Sequence, residues 1–231
     1  MPYRRTENVE RKLAARHQAI LEAAKALAAE GGMGAVQIAP VAARANIAAG
    51  TVYRYFPAKT DLVAALVAAV SEREIAALRQ AADAAPGPLS ALAAAITTFA
   101  ARALANRRLA FALMAEPVEP ELEAVRASYR RALAGELEIR IGAALAGGNL
   151  PEQDATVAAP AIVGALIEGL IGPLAPGSEN DAGKTGSEND AGKMRVRVQV
   201  FTMFTLRALG VVDARARGLV VQTPFPAIGE A

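Results

Sequence analysis

The ten residues Gly50–Lys59, GTVYRYFPAK, gather more groups suited to a phosphate or a base edge than any other stretch of the chain. Thr51 offers a hydroxyl to a phosphate or base and a methyl to thymine. Tyr53, Arg54 and Tyr55 follow on successive sides of a short helix, with donors long enough to reach a nucleic-acid backbone. Lys59 opens the next helix, where an ammonium and unpaired N–H groups together suit a phosphate. Ala48, Ala49 and Gly50 are small, so the start of the helix can come close to base edges. Core packing is the other use for an aromatic in such a run. It is the reading adopted for Phe56, whereas Tyr53 is read as facing DNA.

Two short helices must position these groups. One is expected from Ile38 to Ala45, with Pro40 in its first turn, where a missing N–H is harmless. The other is expected from Ala48 to Tyr55 and is halted by Pro57. Asn46 turns the chain between them, since asparagine tolerates the left-handed conformation. Val41, Ala42, Ala45, Ile47 and Val52 supply a small apolar core that fixes the crossing. This is helix-turn-helix logic, with the second helix as the groove reader. A long helix over Val9–Glu30, closed by Gly31-Gly32, precedes the pair, and one over Ala58–Ala82 follows, with Asp61 at its positive end.

The run VAARANIAAGTVYRYFPAKTDL from Val41 resembles the N-terminal domain of the tetracycline-repressor-like (TetR/AcrR) regulators, and Ile20–Ala24 resembles that family's first helix. The resemblance covers about residues 16–66. It implies phosphate contacts from Tyr53 and Lys59, and positions near base edges or flanking phosphates for Ala49, Gly50, Thr51, Arg54 and Tyr55. Gln37, Arg44 and Ala48 complete the expected DNA-binding set. Two of these depart from the pattern: Ala48 stands where a serine usually caps the reading helix, and Gln37 where Thr or Ser caps the preceding one. Losing such a cap costs about 0.5–2 kcal/mol locally.

Charge agrees with a polyanion at this end of the chain. Residues 1–60 hold nine Lys/Arg against four Glu, and the remainder sixteen against nineteen acids. Arg4, Arg5, Arg11 and Lys12 make an arm for phosphate or the minor groove, or else a solvated tail. Absence of cysteine removes disulfides, thiolate zinc sites and iron–sulfur clusters. The only histidine, His17, is read as exposed, so triads and common zinc sites fail; no catalytic residue, metal site or cofactor is expected. The polar start MPYRRTENVERK has no secretory h-region, and a membrane span at Ala155–Ala175 would carry Glu168 at mid-depth. A cytoplasmic protein with no membrane partner is expected.

Alanine and leucine dominate and β-branched alternation is nearly absent, so the fold is expected to be all-α. A three-helix helix-turn-helix domain over 1–62 would precede a larger helical domain over 63–231. Pro86-Gly87-Pro88 opens helices at about 89–105, 107–115, 119–146, 152–173 and 194–212, with an irregular tail from Pro224. The octapeptide GSENDAGK occurs at Gly177–Lys184 and again at Gly186–Lys193, and 176–193 is read as a flexible loop. In the resembling family such a body dimerises and holds a small-molecule effector. The helices at 152–173 and 194–212 are apolar over much of their circumference, which suits a homodimer interface. Phe99, Arg102, Phe111, Met114, Tyr129, Phe201 and Phe204 are candidates for the lining of an effector pocket. The expectation is a ligand-responsive regulator, a repressor by family default, that binds a palindromic operator as a dimer and is released by a small apolar or amphipathic molecule. The alternative is a small-molecule-binding helical protein with a degenerate DNA-binding head.

Overall fold

The computed structural model describes residues 7–177 and 188–226, and every regular element among them is helical. Arg4 and Arg5 of the basic arm, and residues 178–187 of the repeated segment, lie outside the described residues. The head consists of α1 (Glu7–Gly31), a 3-10 turn at Met33–Ala35, α2 (Ile38–Arg44) and α3 (Ala49–Tyr55). Then come α4 (Lys59–Asp83), α5 (Pro88–Ala105), α6 (Arg107–Met114) and α7 (Pro120–Ala146). The chain closes with α8 (Ala155–Leu174), α9 (Glu188–Ala208) and α10 (Asp213–Gln222).

Two apolar cores organise these helices. The head core joins Ile20, Ala24 and Ala28 of α1 to Val41, Val52 and Phe56, and to Leu62, Val63, Leu66, Val67 and Val70 of α4. The body core is built on α5, whose Leu92, Ile96 and Ala100 are fully buried, against Leu133, Leu137 and Ile141 of α7 and Leu166 and Leu170 of α8. A boundary at residue 62 therefore falls inside α4. One half of α4 packs in the head, while Leu78 and Ala82 pack in the body. Leu109 and Ala112 of α6 also belong to the head core, whereas Ala110 belongs to the body core. α7 is shared in the same way, with Leu122 in the head core and Leu133, Leu137 and Ile141 in the body core, so α4, α6 and α7 make head and body mechanically continuous.

Turn chemistry ends the helices where it was legible, and in one place where it was not. Asn46 has φ 52°, and the N–H groups of Asn46 and Ile47 donate to the carbonyls of Ala43 and Ala42. Two such bonds around a left-handed residue form a Schellman closure. The same pattern at Gly210, φ 89°, ends α9 at Ala208 rather than at the expected 212: the Gly210 and Val211 N–H groups donate to Arg207 and Leu206. A tenth helix then runs over Asp213–Gln222, where the sequence reading had none. α9 also starts earlier than expected, taking in residues 188–193 of the second repeat copy. That part of the repeat is thus helical, not loop; Ala191, Lys193 and Met194 are good helix formers.

α5 and α8 are long and apolar enough to cross a membrane by length and composition. Most of α5 is instead buried within the protein, and α8 presents Glu168 to solvent.

Candidate nucleic-acid interface

α3 stands against the head core on one side only. Val52 and the following Phe56 are buried; Ala49, Gly50, Tyr53 and Arg54 are exposed, with Tyr53 at 52%. A Cβ placed on Gly50 would meet nothing within 4 Å, so its bareness serves no packing within the chain and leaves the surface open. Thr51 is half-buried, and its N–H is used by the Ala48 carbonyl at 2.8 Å. Lys59 is half-buried at the first turn of α4, where Asp61 accepts from the Ala58 N–H at 2.9 Å. Ala48 and Gln37 occupy the cap positions of α3 and α2 without a side-chain cap. The Gln37 amide donates instead to the Gly34 carbonyl at 3.0 Å.

The remaining expected residues of this face are committed to the head itself. Arg44 forms a two-pronged pair with Glu30, at 2.6 and 2.9 Å, and so ties the end of α2 to the end of α1. Tyr55 is half-buried, with its ring centroid 6.3 Å from that of His17. His17 is not the exposed histidine expected. It is half-buried, 5.0 Å from the Phe56 ring, because the two aromatics ending α3 fold back over α1.

A cavity of about 290 Å³ lies directly behind the head. α1 contributes Lys25; α4 contributes Val70, Ser71, Arg73 and Glu74; α5 contributes Phe99 and Arg102. α6 adds Leu109, Leu113 and Met114, and α7 adds Tyr129. Of the expected lining residues, Phe99, Arg102, Met114 and Tyr129 are brought together here. Three are placed elsewhere. Phe111 packs half-buried on the body core, and Phe201 lies over Gly169, where a Cβ would come within 2.7 Å of its ring. Phe204 is 55% exposed and lines a separate shallow groove with Val196, Val200 and Val221. Both phenylalanines belong to α9, which contributes no residue to the cavity. Arg102 and Glu74 form a two-pronged pair at 2.6 and 2.8 Å. This contact raises the already high pKa of Arg102. Burial, then the neighbouring Glu74 charge, holds the Tyr129 phenol well above its ordinary pKa, so it stays a neutral donor.

A clamp joins the head to α6. Arg108 pairs with Glu116, donates from Nη2 to the Gly31 carbonyl at 3.0 Å, and thereby grips the end of α1. Glu116 accepts from the Met33 N–H at 2.8 Å. Arg126, buried on α7, donates to the carbonyls of Ala112 and Glu116, both at 2.6 Å. Desolvation lowers the Arg126 pKa despite Glu123 nearby. The sequence gives little sign of this clamp, because its partners lie up to 83 residues apart. Among the described residues no three His, Asp or Glu side chains gather as metal ligands.

Residues 20–66 match the family model described as bacterial regulatory proteins, tetR family. Over that stretch the chain is similar to the heads of that family. The HTH-type transcriptional repressor KstR of Rhodococcus jostii (strain RHA1) is 50% identical over 58 residues, 25% of this chain and 27% of that protein. KstR of Mycobacterium tuberculosis (strain ATCC 25618 / H37Rv) is 52% identical over 48 residues, 21% of this chain and 22% of its own length. The match thus spans about a quarter of these curated relatives. The full helical fold is shared more widely. The structure of RolR without ligand superposes with TM-score 0.66 at 24% identity, covering 92% of this chain and all of that one. The fatty acid degradation regulator FadR of Bacillus halodurans gives 0.67 at 20% identity, covering 85% and 97%.

Proposed function

We propose that this protein is a ligand-responsive transcriptional repressor that binds a palindromic operator as a homodimer and lets go when a small amphipathic molecule fills the cavity behind its head. The observation that carries the reading is the geometry of α3: an exposed face of Ala49, Gly50, Tyr53 and Arg54 on a rigid two-helix support, with Lys59 at the start of the next helix. Small residues admit the groove, and Tyr53 and Lys59 hold phosphates on its edge. Dimerisation uses α8 and α9, which expose Val157, Val196, Val200 and Phe204 with no cover from the other described residues. Val196, Val200 and Phe204 line one groove, and an exposed apolar face of this kind suits an interface. Release follows if the effector prefers the non-binding spacing of the two heads, a shift of population. The protein acts in the cytoplasm, without enzymatic activity.

The test uses double-stranded DNA selected by the full chain from a random pool. Tyr53→Phe and Lys59→Ala should each weaken binding, and Lys59→Ala should also reduce the salt slope by about one. Affinity and salt slope unchanged in both variants would overturn the assignment. The uncapped positions Gln37 and Ala48 favour a second reading, a small-molecule binder with a degenerate head. That reading predicts that the selection enriches no sequence.

A further inference from the structure

We propose that the effector is a small organic monoanion, a carboxylate on an apolar frame, and that its charge is bound by Lys25, a residue of the DNA-binding head itself. The inference rests on reading the cavity as the effector site. Its size sets the frame: about 290 Å³ is roughly twice the volume of a cavity that holds benzene, room for roughly ten to fourteen non-hydrogen atoms. Val70, Phe99, Leu109, Leu113 and Met114 give that frame apolar walls.

Unmet hydrogen-bonding groups set the charge. Lys25 is only 13% exposed, and its one ion pair, to Glu22, is 3.8 Å long, beyond hydrogen-bond distance. Glu22 turns Oε2 toward Lys25, while its Oε1 accepts from Arg73 and Gln18, each at 2.8 Å. The Lys25 ammonium thus has three donors and no hydrogen bond to a described residue, and an anion in the cavity supplies the missing acceptor. The hydroxyls of Ser71 and Tyr129 also face the cavity and make no hydrogen bond to a described residue, and Tyr129 is held neutral. Arg73, 55% exposed at the solvent side, is paired with Glu22 at 2.8 Å. Arg102 is matched by Glu74 in a two-pronged pair, so that end of the cavity is closed to a second charge. Lys25, Arg73 and Arg102 line the space against Glu74, with Glu22 paired to Lys25 and Arg73 outside the lining, so the surroundings keep a net positive charge that favours an anion over an organic cation.

The position of Lys25 gives the binding a consequence. α1 carries the head, and its last turn is clamped to α6 through Gly31, Arg108 and Glu116. An anion held between Lys25 and the α4–α7 walls therefore bridges head and body directly. Occupancy and head position become linked, and by reciprocity DNA must change the affinity for the anion by the same factor.

Isothermal titration of the full-length protein with two matched pairs tests this: 3-phenylpropionate against 3-phenylpropanamide, and octanoate against octanamide. The wild type should bind at least one carboxylate about tenfold or more tighter than its amide, as a charge-assisted contact requires. Lys25→Gln should remove that preference while leaving the amide affinity within about twofold, and Lys25→Arg should keep it. Leu113→Trp, which fills the cavity, should abolish binding of both members of a pair. Equal binding of carboxylate and amide by the wild type, or a preference that survives Lys25→Gln, overturns the proposal and leaves the effector cavity standing. No binding from either pair, or binding indifferent to Leu113→Trp, overturns the proposal and the effector-cavity reading together. Circular dichroism and the dimer mass of each variant separate a lost contact from a lost fold.

Discussion

Gly32→Ala should damage the joint between head and body by an amount the structure lets one work out. Gly32 has φ 75° and ψ −170°, a region essentially confined to glycine, where alanine costs at least about 1–2 kcal/mol. A Cβ there would also lie 2.6 Å from Arg108 Cζ and closer still to the Glu116 carboxylate, so the ends of both side chains must shift away from Gly31 and Met33. That pair is largely buried, at 31% and 15% exposure, and Glu116 carries the Met33 N–H as well. Losing these contacts adds about 1–2 kcal/mol. The sum is about 2–4 kcal/mol, roughly 5–12 °C in Tm for a chain of this size. Urea and thermal unfolding would measure it, followed by a double-mutant cycle. In an Arg108→Ala background Gly32→Ala should cost only its conformational part, leaving a coupling of about 1 kcal/mol or more. A single-variant cost under about 0.5 kcal/mol, or additive variants, would refute the reasoning: the turn would not be left-handed, or the clamp not closed against it.

Three further expectations follow from the same coordinates. Tyr129 is one of four tyrosines, and burial raises its pKa above the unfolded value. Its contribution to stability is therefore present at neutral pH and is lost as pH rises past the ordinary tyrosine range. Alkaline absorbance titration should find one phenol that ionises only above that range or on unfolding, and Tyr129→Phe should remove it. Asn46→Ala should destabilise the head by about 1 kcal/mol while Asn46→Gly should not, since only alanine strains the φ 52° turn; urea midpoints decide. If α9 forms the proposed dimer interface, Phe204→Glu should give a monomer in sedimentation velocity with helicity intact, because it places charge in the exposed apolar face of α9.

Local chemistry was the legible part of this chain. Pro40, Asn46 and Pro57 mark the two short helices to within a residue or so, because turn preferences act over neighbours. The Gly210 turn obeys the same rules but was hidden, since the apolar pattern runs on through Leu209, Val211 and Val212. α10 was missed because DARARGLVVQ is polar at its start and holds a mid-helix glycine; the pairing of Asp213 with Arg217 and Arg207 supports it instead. The exposed half of α3 could be read from residue size and type. The cavity could be read only in part. Phe99 and Tyr129 advertise themselves as large apolar bodies, but Lys25, Ser71 and Glu74 meet them only through tertiary folding. Phe201 and Phe204 show the opposite failure, since the same aromatic signal serves helix packing and an outer face just as well.

The account stands or falls on what DNA the full chain selects from a random double-stranded pool. It predicts an enriched inverted repeat with half-site centres about one helical turn, ~34 Å, apart or a multiple of it, occupied by an even number of protomers. No enriched sequence, or a single half-site held by one protomer, would contradict it.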